Sequence, residues 1–158
     1  MHTAIALIRG INVGGKNSLP MADLRELCEG LGLEDVRTYI ASGNVVFRAA
    51  SRAIAKAPAA LEAAIESHSR FKPTVVVRTA DQWKAVIDAN PFASRRGIDK
   101  SRLMVMYLAS KPEAAASAVE KLSNGQEEAR LVGNEVFLHF PKGIAESKLG
   151  RRPFFTSP

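Results

Sequence analysis

The stretch Val36–Ala49, VRTYIASGNVVFRA, decides the fold. Two runs rich in β-branched and aromatic residues, Val36 to Ser42 and Val45 to Ala49, lie on either side of Gly43-Asn44. Glycine and asparagine both tolerate the positive φ of a tight reversal, so the stretch reads as a β-hairpin. Toward the N-terminus, TAIALIR at residues 3–9 is apolar enough for a buried strand. A Gly-rich segment, Gly10 to Asn17, leads to Pro20, which suits a first helical turn. Met21, Leu24, Leu27, Cys28 and Leu31 then share one helical face, and Gly30 and Gly32 supply the stop. Toward the C-terminus, an Ala-rich helix is clearest after Pro58, with Leu61, Ala64, Ile65 and His68 on one face. Lys72-Pro73 ends it, and Thr74 to Arg78 is a continuous β-branched strand. Thr79-Ala80-Asp81-Gln82 has capping-box spacing and opens a helix that groups Trp83, Val86 and Ile87 before Pro91. The order is β-α-β-β-α-β, then one helix.

The remainder of the chain begins the same order again. Leu103 to Leu108 reads as a strand, and Pro112 starts a helix with Ala115, Val119 and Leu122 inward, stopped by Asn124-Gly125. Residues 127–132 and 135–140 read as strands around Gly133-Asn134, and a short helix is expected from Gly143 to about Leu149. The two Gly-Asn pairs, at 43 and 133, each precede a strand containing Val and Phe. The expected class is therefore α+β, with two ferredoxin-like βαββαβ repeats, the second incomplete. Residues 1–92 form the first repeat with its connecting helix, 93–102 a basic linker, and 103–158 the second, C-terminally shortened repeat.

Composition narrows the function classes. The chain has 158 residues, Lys+Arg 22 against Asp+Glu 16, a net charge of +6 and one Cys. No apolar run approaches a membrane span, and Arg9 interrupts the N-terminal apolar stretch, against a secretory signal. A single cysteine cannot form an internal disulfide, so a cytoplasmic location is expected. Net positive charge favours anionic partners. The run Arg95-Arg96-Gly97-Ile98-Asp99-Lys100-Ser101-Arg102 reads as a solvated connector. With Arg151 and Arg152 it is the basis for a nucleic-acid contact. Tyr107, Phe137 and His139 could share a strand face, but Val136, Leu138 and Phe140 make the opposite face apolar too. Burial on both sides explains that pattern more simply than an RNA-stacking platform.

The richest chemistry follows the first strand, in Arg9-Gly10-Ile11-Asn12-Val13-Gly14-Gly15-Lys16-Asn17. Gly10 and Gly15-Lys16 have the G-x-x-x-x-G-K spacing of a phosphate-cradling loop. Asn17 stands where a magnesium-holding Ser or Thr belongs, and Pro20 puts the helix start several residues beyond the lysine. Nucleotide hydrolysis is therefore not expected. An anion-binding loop for phosphate or a nucleotide-like ligand remains, beside the plainer reading of a Gly-rich connection. Its candidate residues are Arg9, Gly14, Gly15, Lys16 and Asn17 as donors, with Asn12 orienting the ligand. Ser42 and Asn44 come from the neighbouring turn, which turn chemistry alone also explains. Cys28 on an apolar helix face reads as inert core. His2, His68 and His139 lack ligand spacing, so no metal is expected, and no catalytic residue or cofactor is named. Two other readings stand beside the anion site: a protein-interaction module that self-associates through an exposed strand edge, and a nucleic-acid binder.

Several landmarks together resemble a bacterial family, the domain of unknown function 1697. They are RGINVGGKN at 9–17, Pro20-Met21, Thr38-Tyr39-Ile40, Ser42 to Phe47, Asn90-Pro91-Phe92 and Ser147-Lys148-Leu149. The resemblance spans roughly residues 1–150 and implies an α+β fold with two ferredoxin-like repeats, and no assigned activity. Members typically continue past Ser-Lys-Leu with a further helix and an Arg-Asn-Trp segment. Here Gly150-Arg151-Arg152-Pro153-Phe154-Phe155-Thr156-Ser157-Pro158 follows instead. The resemblance thus implies a missing last strand, an unpaired sheet edge, and Phe154-Phe155 as a further cause of self-association.

Overall fold

Alternation along β1 (His2–Arg9) builds the first of two units, Met1–Lys84 and Ala85–Pro158. The computed structural model describes residues 1–110, 116–121, 123 and 125–147. Ala4, Ala6 and Ile8 point into the core from β1, and Val45, Phe47 and Ala49 do so from β3 (Asn44–Ala49). The two strands pair antiparallel with Ala4 opposite Phe47, so one face of the pair is continuously apolar. β2 (Glu34–Tyr39) pairs with the far side of β3, and β4 (Thr74–Thr79) with the far side of β1. The resulting antiparallel sheet has the order β2-β3-β1-β4. Onto its apolar face pack α1 (Met21–Gly30), through Leu24 and Cys28, and α2 (Ser51–Ser69), through Ile54, Ala57, Leu61 and Ile65.

Local chemistry sets the start of α3 (Ala80–Asp88). Its capping box is formed: Gln82 N–H donates to Thr79 Oγ1 at 3.2 Å and Thr79 N–H to Gln82 Oε1 at 2.9 Å. Val86 of that helix is buried, whereas Ile87 faces outward. Helix α2 begins seven residues before Pro58, earlier than the proline suggests. Its first residues, Ser51 to Ala57, include three alanines, and the buried Ile54 and Ala57 continue the apolar stripe. Side-chain burial there offsets the single backbone bond that proline cannot donate. The first hairpin also differs in detail. Strand β2 ends at Tyr39, Ile40–Gly43 form the turn, and Tyr39 stands opposite Asn44.

The second unit carries β5 (Leu103–Tyr107), α4 (Ala116–Glu120), β6 (Glu128–Val132) and β7 (Glu135–His139). Its antiparallel sheet has the order β5-β7-β6, and Gly133-Asn134 make a two-residue turn with Val132 opposite Glu135. Strand β7 is buried on both faces. Val136 and Leu138 join Val119 and Phe140 in one cluster, while Phe137 joins Val86 and Phe92 in another. A short 3-10 turn, Ile144–Glu146, stands where a helix from Gly143 was expected. Pro112, Ala115, Leu122, Asn124 and the tail from Lys148 to Pro158 lie outside the described residues. The antiparallel sheets with their covering helices make the fold α+β.

The two Gly-Asn turns differ physically, which gives a test. Gly43 has φ +82, and a Cβ there would meet the Ile8 carbonyl oxygen at 2.7 Å and Ile11 Cδ1 at 2.8 Å. Gly133 has φ +61, and its nearest neighbour, Glu135 Oε2, would lie at 3.5 Å. Gly43→Ala is expected to cost roughly 2–4 kcal/mol, from backbone strain plus overpacking. Gly133→Ala is expected to cost only about 1 kcal/mol, from left-handed backbone alone. Urea denaturation midpoints of the two variants check the difference.

Candidate functional site

The C-terminal end of β1 is where the Gly-rich segment meets the β2–β3 turn. The segment is a small hairpin. Asn12 N–H donates to the Asn17 carbonyl and Lys16 N–H to the Val13 carbonyl, both at 3.0 Å. Gly14 and Gly15 at its tip have φ of 59° and 75°, the left-handed pair that a two-residue reversal requires. Asn12 and Asn17 are also left-handed, at 54° and 53°. Asparagine bears this conformation better than most residues because its short side chain bonds locally.

Both asparagine side chains bond to the backbone. Asn17 Nδ2 donates to the Gly10 carbonyl at 2.8 Å, closing the base of the hairpin. The Asn12 carboxamide accepts from Leu19 N–H at 2.8 Å and donates to the carbonyls of Leu19, at 2.9 Å, and Ala41, at 3.1 Å. The last of these joins the hairpin to the β2–β3 turn. A second tie is the bond from Ile8 N–H to the Gly43 carbonyl at 3.0 Å. Within the turn, Asn44 Nδ2 donates to Ser42 Oγ at 2.7 Å.

The eight residues singled out from the sequence thus lie at one end of the sheet, in two bonded loops or, for Arg9 and Asn44, at the strand ends that border them. Their roles there divide. Asn12, Asn17, Ser42 and Asn44 hold the loops to themselves and to each other. Arg9, Gly14, Gly15 and Lys16 are exposed. Among the described residues, the Gly14 and Gly15 amides and the Lys16 ammonium have no bonding partner. Helix α1 starts at Met21, beyond the hairpin, so its dipole acts on Leu19 and Pro20 rather than at Lys16.

Three residues not singled out from the sequence belong to the same end. Val13, Tyr39 and Ile40 are 67%, 69% and 63% exposed. Ile40 also has φ 50°, a strained conformation for a β-branched residue. A hydrophobic residue in a strand-like run gives no sequence signal of such a backbone. The apolar composition of Thr38-Tyr39-Ile40 points to burial instead.

Two further groups of this unit, Cys28 and His68, are engaged within it. Cys28 is fully buried on α1, and burial, helped by the neighbouring Glu29, pushes its thiol up to about 11. His68, near the end of α2, pairs with Asp23 of α1 at 3.1 Å across an exposed gap. A cleft of about 730 Å³ lies at the opposite end of β1, between Thr3, Ile54, Pro58 and Gln82. Its Thr79 and Gln82 are already occupied by the cap of α3. Among the described residues no group of three or more His, Cys, Asp or Glu could hold a metal ion, and no helix is long and apolar enough to cross a membrane.

A family model described as "Protein of unknown function (DUF1697)" matches residues 1–137. No curated protein matches the chain. A solved structure of a conserved bacterial protein from Streptococcus pneumoniae is similar, with a TM-score of 0.72 and 26% identity. The likeness covers 99% of this chain and 84% of the other.

Two outcomes follow from the bonding and the burial. Asn12→Ala removes three bonds and leaves Leu19 N–H without its acceptor, so it should lower stability by about 2–4 kcal/mol, read by chemical denaturation. For Cys28, the thiol ionises less readily folded than unfolded, so folding stability should fall as pH rises from 9 toward about 11. A Cys28→Ser control should flatten that segment of the stability–pH curve.

Proposed function

The chain belongs to the DUF1697 family, whose function is unknown, and we propose that it acts as a cytosolic binding module. Its site is the hairpin tip beside the β2–β3 turn, and its ligand is an anionic group. Lys16 and Arg9 supply positive charge, and the Gly14 and Gly15 amides supply donors. The observation that carries this reading is the use of Asn12 and Asn17 to brace the hairpin. A braced tip presents Lys16 and two amides in a fixed frame, which lowers the entropy cost of binding. The exposed Val13, Tyr39 and Ile40 beside the tip suit an anionic group carried by a larger partner. An acidic peptide with apolar side chains is therefore the favoured ligand.

The architecture behind this module we read as two related ferredoxin-like repeats. In each, the third strand lies between the first two: β3 between β1 and β2, and β7 between β5 and β6. A helix joins the first strand to the second in both units. The first repeat adds α2 and β4, and the second is incomplete among the described residues.

The test is an NMR titration of the whole chain with two probes, inorganic phosphate and a glutamate-rich peptide containing phenylalanine and leucine. The peptide should shift the Val13, Gly14, Gly15 and Ile40 signals and bind more tightly at low salt. Lys16→Ala should weaken it at least fivefold, and Tyr39→Ala should weaken the peptide without touching any phosphate response. Unchanged affinity in Lys16→Ala for both probes would sink the reading.

A further inference from the structure

The basic run of the second unit forms part of a concave site. Phe92 N–H donates to Asn90 Oδ1 at 2.9 Å, and Arg95 N–H donates to the Phe92 carbonyl at 3.2 Å. These turns fold residues 90–95 back so that Phe92 is buried and Arg95 lies above it. The ring and the guanidinium are 5.9 Å apart. Arg95 Nη1 also donates to Glu128 Oε1 at 2.5 Å. One arginine is thus fixed by an aromatic face and a carboxylate, with its remaining N–H groups lacking any partner among the described residues.

Beside it lies a cleft of about 310 Å³, at the lower end of the range of ligand pockets. Its apolar wall is Ile87, Phe92, Ile98 and Leu103. Arg95 and Lys100 supply two cations at its edge, and Asn90 adds an amide. Lys100 is held in a 3-10 turn, Lys100–Arg102, that Asp99 caps by accepting from Ser101 N–H at 2.9 Å and Ser101 Oγ at 2.7 Å. Asp99 also faces Arg102 at 3.8 Å, so this acid is directed to Ser101 and Arg102, while Glu128 is held on Arg95. The lining contains no acidic side chain.

We propose that this cleft binds a small carboxylate with an aromatic or branched apolar body. The apolar body would rest against Ile98, Leu103 and Phe92, and the carboxylate would meet the fork of Arg95 and the ammonium of Lys100. Arginine is suited to this because its planar donors match the two oxygens of a carboxylate. The Glu128 and Phe92 contacts set the guanidinium in advance, so little side-chain freedom remains to be lost on binding. The site is separate from the hairpin tip of the first unit and does not depend on the function assigned there.

The experiment is an NMR titration of the whole chain with benzoate and, in parallel, its neutral analogue benzyl alcohol. Benzoate should shift the methyl signals of Ile98 and Leu103 and saturate in the millimolar range. Benzyl alcohol should bind at least fivefold more weakly. Lys100→Ala, an exposed change that leaves the Arg95–Glu128 pair intact, should weaken benzoate about tenfold. Arg95→Ala should do at least as much. The proposal is overturned if benzyl alcohol binds as well as benzoate, if Lys100→Ala stays within twofold of the parent, or if benzoate shifts signals only elsewhere.

Discussion

The Asn12 carboxamide is the joint on which the loop end of the first unit depends. Its bonds to the backbone of Leu19 and Ala41 connect three pieces of chain that no regular element connects: the hairpin, the approach to α1 and the β2–β3 turn. An irregular segment pays for its order in conformational entropy, and side chain–backbone bonds are the means by which such a segment recovers it. The neighbouring Gly43 completes the joint. Only a residue without Cβ lets the Ile8 carbonyl and the Ile11 side chain approach so closely. Packing of the loops against each other is therefore set by one amide and one missing methyl group.

The fold was largely legible in the sequence because its signals are local and periodic. The alternation of β1 and β3, the helical stripe of α1, the capping box at Thr79 and the second Gly-Asn pair act within a few residues, as written. Where the reading stopped short, a local rule met a tertiary one. Pro58 is a strong helix breaker by itself, yet Ile54 and Ala57 reach the core and extend α2 ahead of it. The first Gly-Asn pair has the chemistry of a two-residue turn, yet the reversal takes Ile40–Gly43, with Ile40 in a conformation that its side chain resists. Nothing about an isoleucine announces a positive φ.

The candidate residues were legible as a cluster in space more than as a set of bonding roles. Glycine and lysine density marked the loop, and the structure puts all eight candidates at one end of the sheet. The bonds of Asn12 reach residues 7 and 29 positions away, so its bracing role could not be read from spacing. The basic run from Arg95 to Arg102 shows the same limit. Charge alone describes a solvated stretch, whereas the chain folds Phe92, Ile98 and Leu103 into one apolar cluster and sets two of its cations around a hollow. What distinguishes a linker from a pocket wall is the set of side chains lying between the charges.

Pro58 has a consequence for how the first unit breathes. It offers no N–H to the Ile54 carbonyl, so the hydrogen-bond ladder of α2 is interrupted between its opening turns and its long C-terminal part. The opening turns then rely on two anchors, Ile54 and Ala57, while Leu61 and Ile65 secure the rest. A helix divided in this way need not open as one piece. Its amides before the proline belong to a separate, shallower unit of local unfolding, able to exchange with solvent while the sheet and the remaining turns stay closed.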